Sequence, residues 1–209
     1  MTLLHPTYFS PIIQYVAIAK SKQIIFEVED NFQKQTYRNR CYIFGANGKQ
    51  LLNIPIQKIS GKQVTKEVKI DYSYNWQLEH LKTLHSAYSS SPFFEYYIDD
   101  LLPLFKRKKT YLVDLNIKTL DIILNVIEES TSHNLTNNFK KNVLNDYRFL
   151  VNAKENIHNE LPKYTQVFDN KHGFLSNLSI LDLLFMEGPA SLNYLDKVGL
   201  MSIKHQNTL

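Results

Sequence analysis

His5, Glu27 and Glu29 sit where two short apolar runs end, in TLLHPTYFSPIIQYVAIAKSKQIIFEVED. If the runs are parallel strands joined by a helix, the three side chains meet at one rim of a sheet. That rim, outside the carboxyl ends of the strands, is where open α/β sheets bind ligands. His5 precedes Pro6 and is therefore extended. Its imidazole can donate to a phosphate or act as a general base, or simply bond a neighbouring carbonyl. Glu27 and Glu29 project to the same side of their strand and repel unless solvent, a cation or an arginine separates them. Arg38 and Arg40 share one strand face, with Asn39 on the other. Guanidinium groups suit bidentate capture of phosphate or carboxylate. They equally suit pairing with Glu27, Glu29 or Asp30, and one carboxylate can hold an arginine in place for a ligand.

Other polar residues have structural readings beside the functional ones. His80 shares an apolar helical face with Trp76 and Leu84, where a hydrogen-bonded core histidine is the commoner case. His85, five residues on, points elsewhere, so the two make no i, i+4 metal pair. Asp182 stands three residues after Ser179, as in a capping box. Glu187 ends a helix and opposes its macrodipole, which calls for an exposed position or a cationic partner such as Arg38 or Arg40. KRKK (Lys106–Lys109) complements a helix end. Cys41 reads as a small buried residue, since no histidine relay accompanies it. The six glycines form neither G-x-G-x-x-G nor a P-loop, and H-E-x-x-H and G-x-S-x-G are absent. No metal and no cofactor is expected.

These residues need elements to position them. Ser10 and Pro11 read as N-cap and first residue of a helix, with Ile12, Ile13, Val16 and Ala19 inward. TYRNRCYIF and KQLLNIPI flank GANG and predict an antiparallel hairpin. Gln57–Lys66 is a Lys-rich link and Val64–Ile70 a strand candidate. Helices are expected at NWQLEHLKTLHSAY, Pro92–Phe105, Thr119–Glu129, Asn138–Val151, SNLSILDLLFMEGP and Ala190–Val198. The fold class is α/β: a mixed sheet with an N-terminal βαβ unit and a hairpin, then a mostly helical C-terminal half.

The 209 residues fit one domain, and 44% hydrophobic content supplies its core. We divide it into a sheet portion (1–71), a mainly helical portion (72–200) and a flexible tail (201–209). The 24 basic and 20 acidic residues are interspersed, giving +4. That balance fits an anionic small molecule and disfavours nucleic acid, which calls for a concentrated basic face. One cysteine rules out an internal disulfide and a multi-cysteine zinc site. No basic n-region precedes Lys20, and no apolar run nears the roughly 18 residues of a membrane span. A cytoplasmic protein without membrane insertion is expected.

HPTYF before a helix, QKQTYRNR, DYSYNWQLEHLKTLHSAYSSSPFFEYY and NLSILDLLFMEGP together resemble the WbqC-like family over nearly the whole chain. EDNFQKQTYRNR with GANGKQLL looks like the branch found in Bacteroidetes-type bacteria. The family opening is more often His-Gln-Pro-x-Tyr-Phe-Pro, so a role for a Gln amide has no support here. Positions matching the family pattern are His5, Tyr8, Asn39, Arg40, Trp76, His80, Asp182 and Glu187. The resemblance implies a link with surface-polysaccharide and O-antigen biosynthesis, and action on a nucleotide-activated sugar or amino-sugar. Acyl or aminoacyl transfer is a conceivable reaction. On this reading Arg38 and Arg40 hold phosphate, Trp76 forms an apolar wall, and His5 with Glu27 or Glu187 moves the proton. Tyr8, Asn39, His80 and Asp182 complete the substrate contacts. The alternative is a non-catalytic binding or scaffold protein of glycan-assembly enzymes.

Overall fold

Thr2–Leu4 (β1) leads through the helix Ile12–Ala19 (α1) to Gln23–Phe26 (β2), and the two strands pair in parallel from Thr2 opposite Ile24 to Leu4 opposite Phe26. This is a computed structural model, and it describes residues 1–154 and 161–199. α1 is largely apolar, so it is buried nearly throughout and packs against helices near the C-terminal end. Its start differs from the capping expected of Ser10. Pro11 is still extended, and Ser10 Oγ bonds Thr7 Oγ1 instead. The free N–H groups of the first turn go to a distant segment: Ile12 to the Leu178 carbonyl and Ile13 to Asn177 Oδ1.

A 3-10 turn at Tyr37–Asn39 precedes the hairpin of Arg40–Gly45 (β3) and Gly48–Asn53 (β4). Gly45 pairs with Gly48 across a two-residue loop, and Gly48 has φ +99°. Cys41, Ile43 and Leu52 face the core. The strand expected at Val64–Ile70 does not form. Thr65–Glu67 is a 3-10 turn, because Thr65 and Lys66 give their N–H groups to the Asp30 and Val28 carbonyls beyond β2.

Trp76–Tyr88 (α2), Phe94–Lys106 (α3) and Leu112–Val126 (α4) follow, each with an inward apolar face. The helix expected at Asn138–Val151 is replaced by a different arrangement. Ser132–Leu135 (β5) joins β2 in parallel, giving the sheet order β1-β2-β5. A crossover then brings Asp146 beside Leu3, and Arg148–Val151 forms a 3-10 turn. Asp169–His172 (α5), Ile180–Glu187 (α6) and Ser191–Lys197 (α7) complete the described chain. The tail expected at 201–209 lies outside the described residues. Among the described residues no helix is long and apolar enough to cross a membrane.

Gly188 stops α6 at φ +52°, and a Cβ there would stand 2.6 Å from the Phe93 ring. Gly188→Ala should therefore cost about 3 kcal/mol, from the left-handed backbone plus overpacking. Urea unfolding should show a lower midpoint at unchanged slope.

Candidate functional site

The parallel pairing of β1 with β2 brings His5 and Glu27 to the carboxyl rim of the sheet, and Thr136, following β5, joins them there. Glu27 is fully buried. Its Oε1 accepts from Thr136 Oγ1 and from the Glu29 N–H, each at 2.9 Å. Its Oε2 lies 3.4 Å from Arg148 Nη1 and 3.4 Å from the Lys140 amide. Glu29 turns outward to Lys66, at 2.8 Å. The partner of Glu27 is thus Arg148, not a hairpin arginine.

Arg38 is 1% exposed and lies in the 3-10 turn before β3. It does not share a strand face with Arg40, because the chain becomes extended only at Arg40. Arg38 Nη2 reaches Asp30 Oδ2 at 2.6 Å and His5 Nε2 at 2.9 Å, while Nη1 donates to Thr36 Oγ1 at 3.3 Å. Asn116, from α4, holds the Arg38 carbonyl at 2.8 Å and the Pro6 carbonyl at 3.1 Å. Asp30 also accepts from Thr65 Oγ1 at 2.7 Å. Burial raises the Asp30 carboxyl pKa, against the pull of Arg38 and Thr65. The Arg38 pKa is lowered by burial and held up by Asp30.

A guanidinium only donates, and Arg38 Nη2 lies 2.9 Å from His5 Nε2 against 3.2 Å from Nδ1, so Nε2 is assigned as the acceptor. His5 Nδ1 then carries the proton and donates to the Glu27 carbonyl at 3.2 Å. Burial, reinforced by Arg38, pushes the imidazole well below its usual pKa. His5 is thus a neutral ring whose lone pair is already taken. It becomes a base only if Arg38 withdraws.

The remaining residues singled out from the sequence do not join this cluster. Tyr8, Trp76 and His80 lie together in the core. The Tyr8 hydroxyl is 3.1 Å from His80 Nδ1, and the Trp76 ring centroid is 5.1 Å from that of His80 and 6.4 Å from that of Tyr8. At 1% exposure Trp76 is a core wall, not a ligand-facing one. Burial pushes His80 down to about 4. Asn39 is spent on the hairpin, with Nδ2 donating to the Ile54 carbonyl at 2.9 Å.

Arg40 is half-buried opposite Asn53 at the head of β3. Its Nε is buried without a partner, and it pairs with no acid among the described residues. Asp182 is not a capping-box acid. Its Oδ1 accepts from Tyr88 at 2.7 Å, and its Oδ2 from Tyr164 at 2.6 Å and Gln166 at 2.7 Å. Ser179 caps α6 alone, accepting from the Leu181 N–H at 3.3 Å. Glu187 ends α6 beside Tyr194 and pairs with neither Arg38 nor Arg40. No group of three metal-binding side chains occurs among the described residues.

Asp30, Thr136 and Arg148 are the members that sequence reasoning missed. Asp30 entered only as one of three partners for the arginines, and Arg148 fell in a segment read as helix. Thr136 follows a strand with too little apolar pattern to be seen.

Because His5 and His80 are held below the usual 6.5, both stay neutral on mild acidification, His80 down to about 4. The unfolded chain protonates these rings near 6.5, so their contribution is whole above that pH. It declines below it by up to about 1.4 kcal/mol per pH unit for each ring. Asp30 and Asp182, raised by burial, act in the opposite sense at the acid end, where the folded state takes up protons first. Nitrogen NMR at about pH 5.5, where a free imidazole is mostly charged, should find both rings neutral. A charged His5 at that pH would contradict the assigned hydrogen bonds.

No curated protein and no solved structure matches the chain. The sequence model of the WbqC-like protein family matches residues 6–160, which include α1, the hairpin, α2 to α4 and all of the rim cluster except His5. On that match the chain belongs to the WbqC-like protein family.

Proposed function

We propose that the sheet rim binds an anionic small molecule, and that the protein is a transferase acting on a nucleotide-activated sugar or amino-sugar in surface-polysaccharide biosynthesis. The single observation that carries this is the buried His5–Arg38–Asp30 group beside Glu27–Arg148, at the carboxyl end of a parallel sheet. Three carboxylates, Glu27, Asp30 and Asp146, hold two guanidinium groups there, Asp146 at 2.5 Å from Arg148. The loops that frame them carry Lys34, Lys58, Lys62, Lys66, Lys140 and Lys141. These lysines draw anions toward the rim.

Membership in the WbqC-like family accords with a role in polysaccharide biosynthesis. Acyl or aminoacyl transfer to an amino group is the reaction class of this proposal. Arg148, more exposed than Arg38, is the guanidinium that an incoming phosphate meets first. A phosphate that also draws Arg38 away frees His5 Nε2 to accept a proton from the acceptor group. Asp30 then takes the place beside His5 that Glu187 was expected to hold, at 3.7 Å. Arg40, which pairs with no acid among the described residues, is the second candidate for anion contact.

A second reading is a non-catalytic binding or scaffold protein for glycan-assembly enzymes. The exposed Tyr74, Leu78 and Tyr111 around the start of α2 favour it.

Thermal-shift measurements against nucleotide sugars, free nucleotides and acyl carriers separate the two. One nucleotide class at a hundred times its Kd should add about 2.7 kcal/mol, a rise of roughly 5–10 °C in Tm. Arg148→Ala should abolish the rise. No shift across the panel would favour the scaffold.

A further inference from the structure

The crossover from β5 back to the sheet is pinned by polar contacts. The Thr136 N–H donates to the Phe26 carbonyl at 2.9 Å, and Arg148 Nη2 to the Lys141 carbonyl at 3.3 Å. The Leu3 N–H donates to the Asn145 carbonyl at 3.0 Å. The crossover also presents large apolar side chains to solvent: Leu135 is 43% exposed, Phe139 54% and Leu144 97%. Lys140 and Lys141 are exposed between Phe139 and Leu144, and residues 136–145 contain no acid. The acids bordering the loop, Glu27 and Asp146, are both engaged by Arg148, whose guanidinium also lies 5.2 Å from the Phe139 ring centroid.

An aromatic and an aliphatic side chain flanking two lysines, on a backbone already fixed, suit the boundary between headgroups and acyl chains. The lysines need an anionic surface there, and no acid on the loop competes for them. We propose that residues 135–145 form a docking loop for an anionic phospholipid surface. Lys140 and Lys141 meet the headgroups, and Phe139 and Leu144 enter the interface. The same loop holds Glu27, so docking sets the sheet rim beside the lipid. The proposal does not depend on the transferase reading, which is tested with soluble ligands.

Co-sedimentation of the full chain with vesicles tests it. Vesicles containing phosphatidylglycerol should bind roughly thirtyfold more tightly than phosphatidylcholine alone, the effect of two lysines at an anionic surface. Leu144→Ser should weaken binding about tenfold, as the loss of one buried leucine predicts. Because Leu144 is almost wholly exposed, this variant should keep the wild-type Tm. Leu144→Trp should bind with a blue shift in its emission. Leu51→Ser, which removes an exposed leucine from the hairpin, should change nothing. No binding to the anionic vesicles would overturn the proposal, as would equal loss in Leu51→Ser. Self-association that depends on Leu144 without vesicle binding would also overturn it, in favour of a protein partner.

Discussion

A fully charged guanidinium buried at 1% exposure is the constraint on which the rest of the rim depends. Removing Arg38 from water is costly, and Asp30 and His5 are what make it tolerable. Taking away one partner of such a pair costs roughly 3–5 kcal/mol, because the other is left uncompensated. Arg38 therefore imposes order on everything that touches it. His5 must stand at the end of β1, and Asp30 must follow β2 at a fixed distance. The turn before β3 must deliver the side chain inward, and Asn116 from α4 fixes its carbonyl. Four separate parts of the chain meet at one ion pair.

Local and strongly patterned elements could be read directly. The βαβ opening was legible because its apolar runs are short, well punctuated and separated by a largely apolar helix. The hairpin was legible through GANG, and α2, α3, α6 and α7 through helical spacing. What escaped depends on partners distant in sequence. β5 reads SHNL, a polar edge strand whose identity comes from β2, more than a hundred residues earlier. The segment after it lacks a helix because Leu3 and Glu27 capture its backbone groups. Thr65–Glu67 is likewise held by single bonds to the chain beyond β2, and no periodicity records such bonds.

The site shows the same division. Once two strands pair in parallel, His5 and Glu27 must converge, and the sequence is sufficient to say so. The sequence does not decide which acid holds which arginine. Glu27, Glu29 and Asp30 were available to Arg38 and Arg40, and the outcome rests on whether each side chain is in a turn or a strand. Asp182 illustrates the reverse error. Its spacing from Ser179 satisfies the capping-box pattern, yet two tyrosine hydroxyls and an amide outbid the single N–H at the helix start. Short charge-assisted bonds to a buried carboxylate outweigh a neutral cap at the same place.

The empty rim is a satisfied structure, and this bears on how it can work. Arg38 already has an acid and an imidazole, so an anion must compete with both for it. That competition is uneven. Asp30 is tied to Arg38 by charge, whereas His5 contributes only a neutral lone pair, so His5 is the partner released first. In the proposed function, losing it would leave His5 Nε2 free as the ligand arrives, in surroundings that keep the ring unprotonated beforehand. The same burial that depresses the imidazole in the empty site thus keeps its base form in reserve. In the proposed function, a site arranged this way would couple proton acceptance to anion binding through one guanidinium.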